Sequence, residues 1–305
     1  MIAFLILHYK NAKETIECVD SIRKLNYPMS DVRIFIVDNG SNDESTETLR
    51  KEYSADGQIE VFFLKENIGF SGGNNFGFSK IRNNKNVKFA VVCNSDIVFT
   101  QADFINRVID AYKLKEFDVL GPDIYKIKKG KKVSTSPMYA KIASLKALEE
   151  TETIFTCRLN RIMAGETSWM RIKLAAPSFP IACKYGISCL KRKISETYSG
   201  LSQKRKENVI LQGACFVFSP RYICSHDTLF YPETFLYYEE VILFVRAQKE
   251  GLILMYDPSL QVWHKEGKST DIGEEKIQRQ KKFLKNRLEA LKICRNYLLN
   301  NMKNT

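Results

Sequence analysis

Val91-Val92-Cys93-Asn94-Ser95-Asp96 is a short apolar run that ends abruptly in an amide and a carboxylate. Such a run predicts a buried strand, and open α/β sheets place their ligands at the carboxyl ends of strands. A carboxylate at that position can hold a divalent cation, which in turn can hold a diphosphate. Taken alone, an Asp that ends a strand and opens a turn is the commoner arrangement. The neighbouring segments decide between the two interpretations.

Two earlier apolar runs end in the same way. The run at residues 2–9 ends in the polar cluster Tyr9-Lys10-Asn11, and the run at residues 32–37 is followed by Asp38-Asn39-Gly40-Ser41. Helical patterns follow both runs, and this alternation predicts an α/β fold with a mostly parallel central sheet flanked by helices. The carboxyl ends of parallel strands lie at one edge of a sheet, so the three polar clusters could line a single crevice.

The pattern of the remaining chain predicts four segments. In residues 1–125 it adds strands at 59–64, 89–93 and near 119, a loop passing into a helix at 71–82, and a helix around 102–114. The alternation of strand and helix patterns stops over the basic segment 126–207. This segment is too long for a structureless loop and is therefore predicted to be a helical insert. Residues 208–270 contain strand patterns at 209–218 and 252–263 and a helical pattern at 239–250, and residues 271–305 are predicted to form a long basic amphipathic helix.

Composition excludes several classes of protein. The 305 residues are 44% apolar, and the eight cysteines include no CxxC pair, so neither a zinc module nor a disulfide framework is indicated and a reducing cytoplasm is expected. No run approaches the roughly 18 apolar residues of a spanning helix, and the apolar amino terminus resembles a strand rather than a signal peptide. We therefore expect a soluble or peripheral protein.

Positive charge is concentrated in one part of the chain. The net charge is +12, and residues 126–206 contain 18 Lys and Arg against 5 Glu and no Asp. So one-sided a balance favours an anionic partner, such as a membrane surface, a nucleic acid or a phosphorylated substrate. The long helix near the carboxyl end adds apolar residues spaced among further basic ones, which is typical of membrane-surface helices.

A Gly- and Asn-rich segment precedes one predicted helix. Residues 66–75 read Glu-Asn-Ile-Gly-Phe-Ser-Gly-Gly-Asn-Asn. Glycines let backbone amides approach a ligand closely, and a helix start favours negative groups. A flexible loop explains the Gly72-Gly73 pair equally well, and the segment matches neither a Walker loop nor the dinucleotide-binding fingerprint.

Two later features add titratable groups. Glu239 and Glu240 follow the aromatic residues of the run Phe235-Leu-Tyr-Tyr, where an acid's pKa can rise toward that of a working base. Glutamate pairs at helix starts are otherwise common and inert. His264 ends another strand; a lone His is more often structural, but a neutral imidazole is a competent metal ligand.

Taken together, the order and spacing of these motifs resemble a family 2 inverting glycosyltransferase with the GT-A fold, in the rhamnosyltransferase-like branch. The matching pieces are residues 34–41, 66–75, 94–96, 211–214, 235–240 and 262–264. The resemblance covers residues 2 to about 125 and 208 to about 295. It implies a nucleotide-sugar-binding half at 1–125 and an acceptor and catalytic half at 208–270.

The resemblance also implies a role for each motif. Glu240 matches the catalytic base, with Glu239 beside it, and Asp96 and His264 match residues that hold a divalent cation, Mn or Mg. Asp38 matches the position that contacts the nucleotide base. The other implied nucleotide-sugar contacts are Tyr9, Asn39, Asn67, Gly72, Gly73, Asn74 and Asn94, and the implied acceptor segment is Gln212, Gly213 and Ala214. Two positions depart from the family pattern: Asn94 replaces an Asp, and Ile242 stands where a further Asp often follows.

The function implied is inverting transfer of a sugar from dTDP-rhamnose or a UDP-hexose to a saccharide acceptor in cell-surface polysaccharide synthesis. A lipid-linked acceptor and an anionic membrane surface are the expected partners, with no nucleic acid, and the protein is expected to be cytoplasmic and peripheral on the inner face of the cell membrane. Oligomer formation is left open.

The sequence leaves two other functions open. A catalytically degenerate transferase scaffold could bind membranes or nucleic acid through its basic surface, but no RNA-recognition or helix-turn-helix pattern is present. A nucleotidyltransferase that makes activated sugars usually carries a Gly-rich motif after the first strand, and here that position reads His8-Tyr9-Lys10-Asn11.

Overall fold

A computed structural model describes residues 1–138, 144–166, 172, 204–265 and 276–302. Its strands are β1 Ile2–His8, β2 Val32–Asp38, β3 Ile59–Phe63, β4 Phe89–Asn94, β5 Ile97–Val98, β6 Val119–Lys128, β7 Lys131–Ser134, β8 Lys206–Glu207, β9 Cys215–Phe218 and β10 Leu254–His264. Its helices are α1 Ala12–Arg23, α2 Glu44–Tyr53, α3 Gly69–Ile81, α4 Phe104–Leu114, α5 Leu145–Met163, α6 Pro220–Ser225, α7 Glu239–Glu250 and α8 Lys276–Met302. A single 3₁₀ turn, Met29–Asp31, precedes β2.

The strands form one central sheet in the order β3-β2-β1-β4-β9-β6-β10-β5, with β7 paired to β6 and β8 to β10. The first four of these strands are parallel, as are β6 and β10. Strand β9 runs antiparallel between β4 and β6 and joins the two parallel groups. The predicted α/β architecture is confirmed, and the antiparallel strand at its centre is an addition to the prediction.

Alternation along the strands builds a core on each face of the sheet. Phe4 and Ile6 of β1 pack on one face with residues of α1, α2 and α4, whereas Ala3 and Leu5 pack on the other with residues of α3 and α6. Because both faces of β1 are covered by helices, the strand is apolar throughout, as expected for a central parallel strand.

A third apolar cluster lies among helices α5, α7 and α8. Leu284, Leu288, Leu291 and Leu298 of α8 are all buried there, together with Phe155 of α5 and Ile242 of α7. The apolar stripe predicted to suit a membrane surface is therefore occupied by packing within the chain. Two basic side chains of α8, Arg287 and Arg295, also face this cluster and α5.

The insert predicted at 126–207 lies partly outside the described residues. Its described part contains the end of β6, strands β7 and β8, and the long helix α5. Trp169, Met170 and the whole of residues 173–203 lie outside the described residues. Within the described residues, every helix is too short or too polar to cross a bilayer.

Candidate active site

The polar clusters at the ends of β1, β2 and β4 lie at one edge of the sheet. The strand register pairs His8 with Asp38 and Leu7 with Asn94, so all three strands end at the same level. The backbone N–H of Asn39 donates to the His8 carbonyl oxygen at 3.0 Å, and the Lys10 N–H donates to Ser41 Oγ at 2.8 Å. The predicted convergence of these clusters is confirmed.

Asp38 is buried and shapes the turn between β2 and α2. Its Oδ1 accepts from the backbone N–H of Ser41 at 3.0 Å, and its Oδ2 accepts from the Thr46 hydroxyl at 2.6 Å. Both carboxylate oxygens thus have protein donors, and each keeps a further lone pair. A contact between Asp38 and a nucleotide base stays a prediction, as does the role of Tyr9 on the adjoining loop.

Asn39 fixes the Gly- and Asn-rich segment against the end of β2. Its Nδ2 donates to Asn67 Oδ1 at 3.1 Å and to the Gly69 carbonyl at 3.0 Å, while its Oδ1 accepts from the Ile68 N–H at 3.1 Å. A Cβ added at Gly40 would lie 2.3 Å from the backbone of Glu66, and the φ of Gly40 is +70°. Only glycine permits this close approach of the two loops.

The segment predicted to be a loop before its helix is itself helical, because α3 starts at Gly69. A Cβ at Gly73 would lie 2.5 Å from Leu7 Cδ1, so this glycine allows α3 to pack closely on β1. A Cβ added at Gly72 would lie 3.1 Å from Ile68 Cγ1. Packing therefore explains Gly73 without a ligand.

Asn74 is the polar residue of α3 with an unsatisfied atom. The side chain is buried, its Nδ2 donates to the Phe70 carbonyl at 2.9 Å, and among the described residues its Oδ1 has no hydrogen-bond partner. Such an oxygen can accept from a ligand or from ordered water.

Asp96 and His264, which are distant in sequence, lie side by side. His264 Nε2 is 3.2 Å from Asp96 Oδ1, and both side chains are partly exposed, at 15% and 16%. Strand β10 holds them together, because His264 pairs with Ile97 and the Lys265 N–H donates to the Asp96 carbonyl at 3.1 Å. A carboxylate and an imidazole so placed are suitable ligands for Mn or a similar ion.

The protein donors around this pair are few. Within the described ranges, no group of three His, Cys, Asp or Glu side chains could enclose a metal ion. A cation that keeps water and phosphate oxygens in its shell needs only one or two protein ligands. Asp96 and His264 therefore fit a cation shared with a bound diphosphate, and they do not form an all-protein metal site.

The glutamate pair begins helix α7 after an unusual turn. Tyr237 and Tyr238 have φ values of +82° and +67°, the left-handed region that non-glycine residues rarely adopt. Backbone of this kind persists only where the surrounding structure enforces it, and it is common at functional sites. This turn could not be predicted from the sequence, since tyrosine has no preference for positive φ.

Burial controls the protonation of both glutamates. Glu239 is only 4% exposed, and burial, followed by the neighbouring Glu240 charge, raises its pKa to about 8. Burial also raises the pKa of Glu240, which is the more exposed of the two side chains. Among the described residues, Glu239 Oε1 has no hydrogen-bond partner. The rise in pKa expected from the aromatic sequence context is confirmed.

Residues 212–214 connect the two halves of the site. A Cβ at Gly213 would lie 3.5 Å from Glu240 Oε2, and the Ala214 carbonyl accepts from the Asn94 N–H at 3.0 Å. Gln212 Oε1 accepts from the Ala214 N–H at 2.9 Å and so shapes this segment. The predicted acceptor segment thus lies between the end of β4 and Glu240.

A second connection runs from the start of α3 to the residues preceding α7. The Phe70 N–H donates to the Phe235 carbonyl at 2.5 Å, and the hydroxyls of Ser71 and Thr234 lie 2.6 Å apart. Gly69 has a φ of +82° and lies against the Phe235 backbone. The helix α3 that carries several predicted donor contacts is therefore fixed to the chain that carries the glutamate pair.

Ile242, one of the two departures from the family pattern, is a core residue. It is 1% exposed and belongs to the apolar cluster of α5, α7 and α8. An aspartate there would be buried among apolar side chains at a large cost in stability. The apolar residue at this position is therefore explained by packing.

The fold and these motifs define a transferase of the nucleotide-sugar-dependent α/β class. The chain belongs to glycosyl transferase family 2, whose family model matches residues 4–175, more than half of the protein. Membership in the rhamnosyltransferase-like branch stays a prediction.

Solved structures share the fold at low sequence identity. The S. aureus TarS 1-349 structure is 12% identical with a TM-score of 0.51, over 94% of this chain and 70% of that chain. TarS 1-349 in complex with UDP-GlcNAc is 11% identical with a TM-score of 0.51, over 91% and 60%. GalNAc-T7 with UDP, GalNAc and Mn2+ is 12% identical with a TM-score of 0.54, over 87% and 44%. This chain thus spans less than two thirds of the last two structures, and a comparison with curated sequences gave no match.

Proposed function

We propose that this protein is a metal-dependent inverting glycosyltransferase that moves a sugar from a nucleoside-diphosphate sugar to a saccharide acceptor. One observation carries the proposal: a short series of contacts leads from the segment that contains Asp96 to Glu240. Asn94 lies two residues before Asp96, its N–H donates to the Ala214 carbonyl, and a Cβ at the neighbouring Gly213 would lie 3.5 Å from Glu240 Oε2. At one end of the proposed site, Asp96 and His264 would face the diphosphate. At the other end, Glu240 would face the acceptor.

Glu240 is the proposed general base. Its carboxylate would take the proton of the acceptor hydroxyl while that oxygen attacks the anomeric carbon on the side opposite the leaving diphosphate, which inverts the configuration. A raised pKa brings a carboxylate closer to the pKa that suits proton transfer near neutral pH. No covalent intermediate with the protein is needed.

Glu239 has a different role from its neighbour. With a pKa of about 8, it is mostly protonated at neutral pH. A neutral Glu239 removes like-charge repulsion from Glu240, so that Glu240 can ionise and act as the base. The two adjacent carboxyl groups are thereby separated into a buried neutral acid and a more exposed base.

Asp96 and His264 are the proposed ligands of a divalent cation. A bound Mn or Mg ion would neutralise the charge that develops on the leaving diphosphate. The His264–Asp96 contact orients the imidazole, and Asn94 supplies a neutral amide beside them. The Mn2+ in the GalNAc-T7 structure supports a divalent cation in this protein.

The donor and acceptor are proposed as classes. The UDP-GlcNAc complex of TarS and the UDP complex of GalNAc-T7 support a uridine donor, and dTDP-rhamnose remains the alternative indicated by the sequence motifs. The basic surface of the chain supports a phosphorylated, lipid-linked acceptor at the inner face of the membrane. Because the apolar stripe of α8 is buried, such membrane contact would depend on charge.

A donor screen tests this function. We expect one UDP- or dTDP-sugar to raise the melting temperature in the presence of Mn²⁺ and to release its nucleotide when a saccharide acceptor is supplied. EDTA should abolish both effects. If no nucleotide sugar shifts the melting temperature with either Mn²⁺ or Mg²⁺, the proposed donor site is wrong.

A further inference from the structure

Arg287 of α8 lies among four aromatic rings. Its guanidinium carbon is 4.9 Å from the ring centroid of Tyr237, 5.1 Å from Phe283, 5.7 Å from Phe155 and 5.8 Å from Tyr238. These rings come from α5, from α8 itself and from the turn before the glutamate pair. Planar guanidinium groups stack well on aromatic faces, and the attraction grows as water is excluded.

The hydrogen bonding of Arg287 differs from that of its neighbour on the same helix. Arg295, two turns further along, forms an ion pair with Glu152 of α5 at 2.8 Å. Among the described residues, the buried Nε of Arg287 has no hydrogen-bond acceptor, and neither has that of Arg295, so the hydrogen bonding of the two arginines differs in the ion pair alone. The four rings surround the Arg287 guanidinium at 4.9–5.8 Å. A cation held in this way keeps its charge available to other groups nearby.

Two of the four rings belong to the residues with left-handed backbone. Tyr237 and Tyr238, at φ values of +82° and +67°, lead directly into Glu239 and Glu240. A conformation that is unfavourable for tyrosine needs contacts that hold it in place. The guanidinium lies against both tyrosine rings, so α8 supplies such a contact from outside the turn.

The charge of Arg287 also acts on the glutamates. It lowers the pKa of Glu239 and Glu240, in opposition to the larger effect of burial. The other titratable groups that face the pair are Tyr237 and Tyr238 from the turn and Cys294 from α8. Among the described residues, Arg287 is the cation that acts on both carboxyl groups.

We propose that Arg287 is a positioning residue for the proposed base, holding the Tyr237–Tyr238 turn in its left-handed conformation and supplying the positive charge that balances Glu240. This inference rests on the proposed function of Glu240. It assigns to α8 a part in the reaction, although Arg287 need not touch donor or acceptor. The sequence alone does not indicate this role of Arg287, because it is one of eight Lys and Arg residues in α8.

The test compares Arg287→Gln and Arg287→Lys with Arg295→Gln, a control that also removes a cation and an α8 contact to α5. Nucleotide release from the donor found by the screen is measured from pH 5.5 to 9. Without Arg287 the pKa of Glu240 rises, so Arg287→Gln should move the acidic limb of kcat/KM upward by about one pH unit. Its loss of activity should then be about tenfold greater at pH 6 than at pH 9. Arg287→Lys should restore the limb.

Two kinetic results would overturn the inference. One is a loss of activity in Arg287→Gln that is equal at all pH values, which would indicate a structural role only. The other is an equal shift in Arg295→Gln, which would indicate a general effect of helix charge.

A readout that does not depend on turnover separates this inference from the proposed function. The melting temperature of Arg287→Gln should fall further below that of the wild type as pH rises from 6 to 9, because the carboxyl groups ionise without their cation. In a Glu239→Gln/Glu240→Gln background the difference should not vary with pH. A pH-independent difference in the wild-type background would refute the inference, even if transfer is observed. Absence of transfer with every donor would refute only the proposed function.

Discussion

The side chains of this site fall into two groups, which differ in their hydrogen bonding within the protein and in their exposure. Asp38, Asn39 and Asn67 form hydrogen bonds that hold the loops at the ends of the strands. Asp96, His264 and Glu240 are partly exposed. The first group therefore shapes the site, and the second group is available to a ligand.

The protonation of Glu239 predicts a dependence of stability on pH. Its pKa is about 8 in the folded protein and close to the ordinary value of 4.5 in the unfolded chain. A raised pKa contributes stability that is present below pH 4.5 and is lost as pH rises through 8. Glu239→Gln cannot ionise, so its melting temperature should exceed that of the wild type by about 5 °C at pH 9 and match it near pH 5.

Scanning calorimetry across this pH range checks the prediction. The exposed Glu60→Gln is the matched control and should show no such trend. A Glu239→Gln difference that stays constant from pH 5 to pH 9 would show that the buried carboxyl does not titrate in this range.

Asp96 and His264 predict metal-dependent binding of the diphosphate. Asp96→Ala and His264→Ala should each weaken UDP binding in Mn²⁺ by about tenfold or more, because each removes a ligand of the shared cation. In EDTA the variants and the wild type should bind UDP alike. Isothermal titration calorimetry measures both conditions, with the exposed Asp110→Ala as control. Unchanged affinity in Mn²⁺ would contradict the assignment.

At the scale of elements, the position of α3 on the sheet depends on its glycines. A Cβ at Gly77 would lie 2.3 Å from Leu5 Cδ1 and 3.0 Å from Val37 Cγ2. Overpacking a core costs about 1–3 kcal/mol. The better helix propensity of alanine returns only about 1 kcal/mol. Crowding should therefore outweigh propensity.

We expect Gly77→Ala to lower the free energy of unfolding by about 1–2 kcal/mol. Gly57→Ala is the matched control, because nothing lies within 4 Å of the added Cβ, and it should leave stability unchanged. Urea unfolding followed by circular dichroism measures both variants. A Gly77→Ala protein as stable as the control would show that α3 can move away from β1 at no cost.

Elements with strong periodicity could be predicted from the sequence, and irregular ones could not. Helix α7 occupies the predicted residues 239–250, and strands β1, β2 and β4 end where their apolar runs end. Strand β9 has four residues, and nothing in a run this short indicates that it pairs antiparallel between β4 and β6. The start of α3 at Gly69 was missed because glycine and asparagine have low helix propensity, which packing overrides here.

At the scale of the whole molecule, the site combines residues from distant parts of the chain. The convergence of the strand ends was predictable, because parallel strands share an edge. The Asp96–His264 contact and the proximity of Gly213 to Glu240 depend on how β10, β9 and α7 are arranged, which a single sequence does not reveal. The third apolar cluster could not be predicted from the sequence either. The apolar stripe on α8 was predicted to suit a membrane surface, but it packs on α5 and α7.

The central claim is that Glu240 is the base of a glycosyl transfer whose donor is held elsewhere in the crevice. Glu240→Gln tests it most directly, with nucleotide release and donor binding measured on the same preparation and Glu60→Gln as control. We predict that transfer falls by about 10²–10⁴-fold while UDP affinity in Mn²⁺ stays within about twofold of the wild type. Transfer retained at the wild-type rate in Glu240→Gln would contradict the account.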